Sequence, residues 1–323
     1  MGGPLPTVSP TISDVAIVGA GVIGRSWAQV FVRAGCHTAL FDTDPGQLKR
    51  AVLWIEKDLE TDCVEGVIDQ HESEARLARL TPCTDLREAL GEALYVQESG
   101  PEETGAKKQI FSDLDHYAKP EAILCSSTSG LRMTELAAGL ACAGRSMVAH
   151  PVNPPHIIPV VELVPGLDTD AAIVLKCREF LSSVGQMPVL LHSEVAGFLL
   201  NRLQAALFCE AIHLISTGRA DLKDVETVVS EGLGLRWALL GPFGVASTNV
   251  EGGLPESLTR FRQTYLDLMN DLGPASTLPP DLVDSLSREM SQLEGATDRA
   301  LIRTWRDRMV RKIQALKVAD PHP

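Results

Sequence analysis

The sequence predicts an α/β fold, a doubly wound, mostly parallel sheet domain followed by an all-helical C-terminal domain. Short apolar runs, of the kind buried on both faces of a parallel sheet, alternate with helical patterns up to about residue 193. Beyond that point the strand-like runs stop and the remainder reads as helices. The chain has 323 residues, 45% hydrophobic and 22% charged, which suits one large or two moderate domains and excludes collagen-like, low-complexity and disordered classes.

Residues 1–13, rich in Pro, Gly, Ser and Thr, read as a loose tail. From Asp14 the pattern changes. Val15-Ala16-Ile17-Val18 is a wholly apolar strand that breaks into Gly19-Ala20-Gly21-Val22-Ile23-Gly24. Trp27, Ala28, Val30, Phe31 and Ala34 recur at helical spacing before Gly35, and a second strand, Thr38 to Phe41, ends at Asp42. Further strands are expected over 93–97, 123–126, 147–150, 160–164 and 188–191. Helices are expected over 194–217, 222–231, about 254–272, 280–293 and 297–317, so the domains are 14–193 and 194–323. The first long helix, with Phe198, Leu199, Leu203, Leu207 and Ile212, has an apolar surface wider than one buried stripe. It is either the central helix of its own domain or a face shared by two copies.

Charge narrows the partners. There are 29 basic and 42 acidic residues, a net charge of -13, and a surface of that sign repels nucleic acid and anionic lipid. Seven cysteines without a C-x-x-C pair fit neither a disulfide framework nor a metal site and point to a reducing compartment with buried thiols. The N-terminus lacks the pattern of a secretory signal, Pro6 stands where a myristoylation signal needs Ser or Thr, and no stretch of about eighteen apolar residues could span a membrane. A cytoplasmic location is the expectation.

The glycine run carries the first piece of chemistry. A lone G-x-G-x-x-G is weak, but this one follows a strand, opens a helix, and precedes an acidic residue, Asp42, by eighteen positions at the end of the next strand. Gly19 permits the tight turn, Gly21 lets the backbone approach a pyrophosphate, and Gly24 lets helix and strand pack closely. The helix N-terminus supplies unpaired N–H groups, which the net negative charge does not remove. Asp42 accepts hydrogen bonds from a ribose 2′-hydroxyl and repels a 2′-phosphate, so a Rossmann-type domain holding NAD rather than NADP is predicted. Asp44, ahead of Pro45, reads as a turn former.

A second piece lies between 148 and 164. His150 leaves a strand into a proline-rich loop, and Glu162 is the only charged residue of Val160-Val161-Glu162-Leu163-Val164. A carboxylate in an apolar strand is costly unless paired. Paired with His150, it fixes the imidazole tautomer and lets the histidine take a proton from an alcohol as hydride leaves for the nicotinamide. On its residues alone, a histidine before proline is more often structural.

With these segments in view the chain resembles the 3-hydroxyacyl-CoA dehydrogenase superfamily, and within it the lambda-crystallin, or L-gulonate 3-dehydrogenase, group. The resemblance rests on GAGVIGRSWA at 19–28, VQESGPE at 96–102, SSTSGL at 126–131, AHPVNPP at 149–155, VVELVP at 160–165, EVAGFLLNRLQ at 194–204 and SEGLGLRWALLGPFG at 230–244. It implies a two-domain, NAD-dependent oxidoreductase acting on the 3-hydroxyl of a carboxylic substrate, and a homodimer joined through the helical domain is the accompanying expectation. It also implies catalytic roles for Ser129, His150, Glu162 and Asn201, with His150 as the base. Cofactor contacts carry over to Gly19, Gly21, Val22, Ile23, Gly24, Asp42, Glu102 and Lys107. Without the resemblance Thr128 and Ser129 would read as helix caps, Lys107 as a solvated lysine, and Asn201 as either a buried link or a substrate ligand.

The substrate reading returns to charge. Residues 56–79 hold eight acids against three bases, a poor surface for the phosphates of an acyl-CoA and a tolerable one for a small free hydroxy acid such as L-gulonate. A carboxylate calls for a cation, and Arg236, between two glycine breaks and beside Trp237, is the candidate, with a helix cap or surface ion pair as its other reading. An L-carnitine substrate would call for an aromatic cage, of which aromatics at 5% give no clear sign. An acyl-CoA dehydrogenase and a structural, crystallin-like protein with little turnover are the remaining alternatives.

Overall fold

A computed structural model describes residues 10–273, 280–295 and 298–320. The chain forms two compact units, one ending at Asn201 and the other beginning at Arg202.

The first unit is an eight-stranded sheet in the order β3-β2-β1-β4-β5-β6-β7-β8. Its strands are β1 (Asp14–Val18), β2 (His37–Phe41), β3 (Leu80–Cys83), β4 (Tyr95–Glu98), β5 (Ile123–Ser126), β6 (Ser146–Pro151), β7 (Val160–Pro165) and β8 (Met187–Leu190). β1 to β6 run parallel; β7 is antiparallel to β6, and β8 follows β7. β3 has no counterpart in the sequence reading, because Leu80-Thr81-Pro82-Cys83 contains a proline. It lies at the sheet edge, where a residue without an N–H is tolerated.

Helices cover both faces. They are α1 (Val22–Arg33), α2 (Pro45–Val64), α3 (Gln70–Leu77), α4 (Leu86–Leu90), α5 (Thr104–Tyr117), α6 (Met133–Leu136) and α7 (Ala171–Ser183). One core lies under α1, α2 and α7, where Phe31 stacks on Trp27 at 5.4 Å and on Phe180 at 5.8 Å. The other lies under α4, α5 and α6 and includes Leu90, Phe111, Leu114 and Met133. Each such side chain contributes about 1.5–3 kcal/mol of transfer free energy, so the site sits on a rigid platform.

The expected tail is partly docked. Residues 1–9 lie outside the described residues, but Ser13 accepts a hydrogen bond from the His37 amide at 2.8 Å and Ile12 packs on the core.

The division also falls later than 193–194. Helix α8 (Leu200–Ser216) begins at Leu200 rather than at 194, and the residues before it belong to the first unit. Glu194 accepts from the Thr134 amide at 3.0 Å and its hydroxyl at 2.5 Å, and Phe198 is fully buried in the second core. Gly197 and Phe198 both have positive φ, 75° and 49°, which breaks any helix there.

The second unit is helical. After α8 come α9 (Leu222–Thr227), a π-helical turn (Val228–Gly234), α10 (Leu235–Trp237), α11 (Pro242–Thr248), α12 (Gly253–Arg260), α13 (Arg262–Asp271), α14 (Pro280–Glu294) and α15 (Arg299–Ala319). α11 is additional to the expected set and starts on Pro242, which suits a first helical position. The helix expected over 254–272 is broken at Phe261. Of the helix expected from Thr297, that residue lies outside the described residues, and α15 is capped by Asp298, which accepts from the Ala300 amide at 2.8 Å. Among the described residues, no helix is long and apolar enough to cross a membrane. All seven cysteines are free thiols, five of them buried.

Candidate active site and cofactor cradle

The parallel strands β1, β4, β5 and β6 bring their C-terminal ends to one edge of the sheet. The strand order reverses between β1 and β4, a position that leaves a crevice for a ligand. The glycine loop, Glu98-Ser99, Ser126 to Ser129, and His150 all lie along this edge.

The glycine loop has the shape of a cradle. Gly19 has φ +106°, and a Cβ there would lie 2.6 Å from the Ser99 carbonyl oxygen. A Cβ on Gly24 would lie 1.8 Å from the Gly19 carbonyl oxygen, so helix and strand meet backbone to backbone. Above Gly21, in contrast, nothing lies within 4 Å. Val22, at the start of α1, is 54% exposed, and Ile23 packs partly on the core. Asp42 is held against this loop: its Oδ2 accepts from the Ala20 amide at 2.8 Å and its Oδ1 from the Asp44 amide at 2.9 Å. Each oxygen keeps a lone pair for a ribose hydroxyl. Asp44 caps α2 through the Gly46 amide and pairs with Arg50 at 3.1 Å, and these contacts, led by the Gly46 bond, lower its pKa. Open space above Gly21, free amides at the α1 start and an acid at the end of β2 fit NAD.

Replacing Asp42 by Asn removes the charge that repels a 2′-phosphate while keeping one acceptor. The preference for NAD over NADP, measured as the ratio of kcat/KM values, is expected to fall by about tenfold or more. An unchanged ratio would show that Asp42 does not read the ribose.

The histidine and glutamate face each other across the antiparallel pair. His150 on β6 is in register with Glu162 on β7, and Nδ1 lies 2.7 Å from Glu162 Oε2. Both side chains are buried, and the Phe198 ring lies 5.5 Å from the imidazole. The second carboxylate oxygen, Oε1, accepts from the amides of Leu199 at 2.7 Å and Leu200 at 2.8 Å, at the start of α8. Burial opposes ionisation of Glu162. The hydrogen bonds from His150, Leu200 and Leu199 outweigh it and hold the pKa below the usual carboxylate value. One carboxylate therefore orients the imidazole and anchors the helix start that carries Asn201.

Asn201 meets Ser129. Its Nδ2 donates to the Ser129 carbonyl oxygen at 3.3 Å. The Ser129 side chain is exposed, while its amide donates to Glu102 Oε1 at 2.8 Å and the Thr128 hydroxyl donates to the same oxygen at 2.7 Å. Glu102 thus fixes the turn that presents Ser129.

Lys107 is placed differently from a cofactor ligand with an open charge. It is 1% exposed, and its ammonium donates to both oxygens of Glu98 at 2.8 and 2.9 Å, with Glu102 Oε2 at 3.5 Å. Glu98 also accepts from the Gly100 amide at 2.6 Å and the Ser126 hydroxyl at 2.5 Å. The pair Lys107–Glu98 is a buried strut beneath the cofactor edge. Glu98 was absent from the sequence reading, although a lone charge in an apolar strand marks it by the same argument that marks Glu162.

Gln97 is a further addition. Its Nε2 donates to the Ser127 hydroxyl at 2.7 Å and to the carbonyl of Ala149, the residue before His150, at 3.2 Å. Arg236 lies in the other unit, exposed on α10, where its carbonyl oxygen accepts from the Leu239 amide at 3.1 Å and the Leu240 amide at 2.9 Å.

Comparisons with known proteins decide the family. A family model described as 3-hydroxyacyl-CoA dehydrogenase, NAD binding domain, matches residues 14–195, and its C-terminal domain counterpart matches 197–285. The chain belongs to the 3-hydroxyacyl-CoA dehydrogenase family. It falls within the lambda-crystallin group: a lambda-crystallin homolog from Bos taurus is 38% identical over 306 residues, 94% of this chain and 95% of that protein. An L-carnitine dehydrogenase from Streptomyces coelicolor is 34% identical over 310 residues, 93% of this chain and 96% of that protein. The fold matches that of a 5-formyl-3-hydroxy-2-methylpyridine 4-carboxylic acid 5-dehydrogenase, with a TM-score of 0.81, 24% identity and coverage of 97% and 100% of the two chains. This family member is an NAD-dependent oxidoreductase.

Proposed function

We propose that the protein oxidises the 3-hydroxyl of a small hydroxy acid, L-gulonate to 3-dehydro-L-gulonate, with His150 as general base. The observation that carries the reading is the buried His150–Glu162 pair, 2.7 Å apart, at the same sheet edge as the glycine loop. With Nδ1 directed at the carboxylate, Nε2 is the nitrogen left to accept the hydroxyl proton. Glu162 stays ionised and stabilises the imidazolium that forms. The Ser129 hydroxyl and the Asn201 amide orient the reacting oxygen. NAD, when bound, accepts the hydride.

The acids of α2, α3 and the turn between them favour a free acid over an acyl-CoA: Glu56, Glu60, Glu65, Asp69 and Glu74 are exposed. Arg236 is a cation for the substrate carboxylate, and Arg236→Lys is expected to raise KM for the hydroxy acid; an unchanged KM removes it from the site. The similarity to an L-carnitine dehydrogenase supports carnitine as a second substrate reading. NADH formation measured with L-gulonate, 3-hydroxybutyrate and L-carnitine, and NADH consumption with acetoacetyl-CoA, tests the assignment. Highest kcat/KM with L-gulonate supports it. A preference for carnitine or the thioester overturns it, and tight NAD binding with no turnover of any of the four supports a structural protein.

The reading includes a cytoplasmic homodimer joined through the helical unit. Among the described residues of that unit, Ile212 and Val245 are the buried hydrophobics, while Leu203, Phe208, Leu239, Phe243, Met269 and Trp305 are exposed. So much exposed apolar surface calls for a partner surface of the same kind. Sedimentation at about twice 34.8 kDa is expected, and a stable monomer would remove this part.

A further inference from the structure

We propose that Arg25 binds the substrate carboxylate through the guanidinium edge that carries Nε. The proposal rests on the hydroxy acid reading above. It concerns the first unit alone and adds a residue that neither the glycine motif nor the catalytic set contains.

Arg25 directly follows Gly24 on α1, and its guanidinium carbon Cζ lies over the ring of Trp54 of α2, 4.2 Å from the centroid. This cation–π contact holds the guanidinium in place, and its N–H groups remain the donors for a planar acceptor. Nε is buried, and no described residue accepts a hydrogen bond from it. A buried, fixed donor without an acceptor is what a ligand's oxyanion can satisfy.

The nearby acid does not fill this role. Asp58 influences Arg25 through its charge, opposing the effect of burial on the guanidinium, but its Oδ2 accepts from Gln29 at 2.9 Å. The same oxygen lies 3.9 Å from His156 Nε2.

The donor directly follows the glycine loop, and the Trp54 ring beneath it also meets a residue of the segment that leaves His150. On one side is the glycine loop. On the other is His156 of the segment that leaves His150, which meets Trp54 edge-on at 5.4 Å. A carboxylate at Arg25 is thus bounded by the loop that cradles NAD and the loop that follows the base. Arg25 and Arg236 are alternative partners for this carboxylate, and the Arg25→Gln and Arg236→Lys variants tell them apart.

The test compares 3-hydroxybutyrate with its methyl ester, which keeps the hydroxyl and removes the charge. Binding of each to the NADH-loaded, full-length protein is followed by cofactor fluorescence, so that no turnover is needed. The wild type is expected to prefer the acid, and Arg25→Gln is expected to lose that preference by about a hundredfold while binding NADH as before. Arg25→Lys, which keeps the charge and loses the fork, should retain part of it and guards against a loss that is only misfolding. An acid-to-ester ratio in Arg25→Gln equal to that of the wild type overturns the proposal. So does weakened NADH binding with the ratio intact, which would give Arg25 to the cofactor diphosphate. A wild type that binds neither compound overturns this proposal, and overturns the hydroxy acid reading as well if it also fails to oxidise L-gulonate.

Discussion

Glu162→Gln is expected to reduce kcat by about a thousand- to ten-thousandfold, by analogy with amide replacement of the acid in a histidine–carboxylate pair. The reason is that the two oxygens of Glu162 face donors on both sides, His150 Nδ1 on one and the Leu199 and Leu200 amides on the other. A glutamine has one oxygen and one NH2. If the oxygen stays with the Leu199 and Leu200 amides, the NH2 faces His150 and forces the proton onto Nε2, which disables the base. If the amide flips, its NH2 meets two backbone donors, and the start of α8 loses its acceptor, at about 1–3 kcal/mol. Either outcome is measurable, as a lost kcat or a lowered Tm. The same logic makes His150 and Glu162 one unit, so the double variant His150→Ala/Glu162→Gln should be no slower than His150→Ala alone. Additive losses would show that the two act separately.

The pH dependence of the same pair has a definite sign. The Glu162 pKa is held below its ordinary value, so its carboxylate contributes stability above the unfolded pKa, near 4.3, and that contribution is lost as pH falls through the lower folded value. Protonated glutamate and glutamine present similar groups. The gap in Tm between wild type and Glu162→Gln should therefore be constant near neutrality and narrow below about pH 4.3. A gap that is the same at every pH would mean that the ionised form is not what the site holds.

The sheet was legible because its central strands are runs of apolar residues, and the cofactor loop because each of its glycines has a separate steric task. What escaped has physical causes. β3 contains Pro82 and survives only as an edge strand. The amides of Leu199 and Leu200 hold half of Glu162, yet a backbone donor has no residue signature. The turn that aims them depends on Phe198 at φ 49°, an uncommon conformation for a bulky side chain and one that nothing in Gly197-Phe198-Leu199 announces. Lys107 shows the opposite limit. Its presence in the sequence gives a charge and not its partner, and the partner proves to be Glu98 inside the protein.

The glycine loop supplies the other large effect. Gly24→Ala and Gly21→Ala are the same chemical change three residues apart in one motif, and they are expected to fail in different ways. At Gly24 a methyl group would lie 1.8 Å from the Gly19 carbonyl oxygen and 3.3 Å from Ile17 Cγ2. The first neighbour is backbone and cannot rotate away, so α1 must separate from β1. Overpacking of this kind costs about 3 kcal/mol, which in a chain of this size lowers Tm by roughly 6–12 °C. At Gly21 the φ of -67° is open to alanine, and no atom lies within 4 Å of the added methyl. Tm should be unchanged. The empty space over Gly21 is where the backbone must meet the cofactor's pyrophosphate, however, and the methyl group occupies it. NADH affinity should fall by about ten- to a hundredfold, measured by fluorescence titration. Equal Tm losses in the two variants, or full NADH affinity in Gly21→Ala, would mean that the open face of this loop is not the cofactor's approach, and that the fit between glycine loop and NAD must be drawn from a different side of α1.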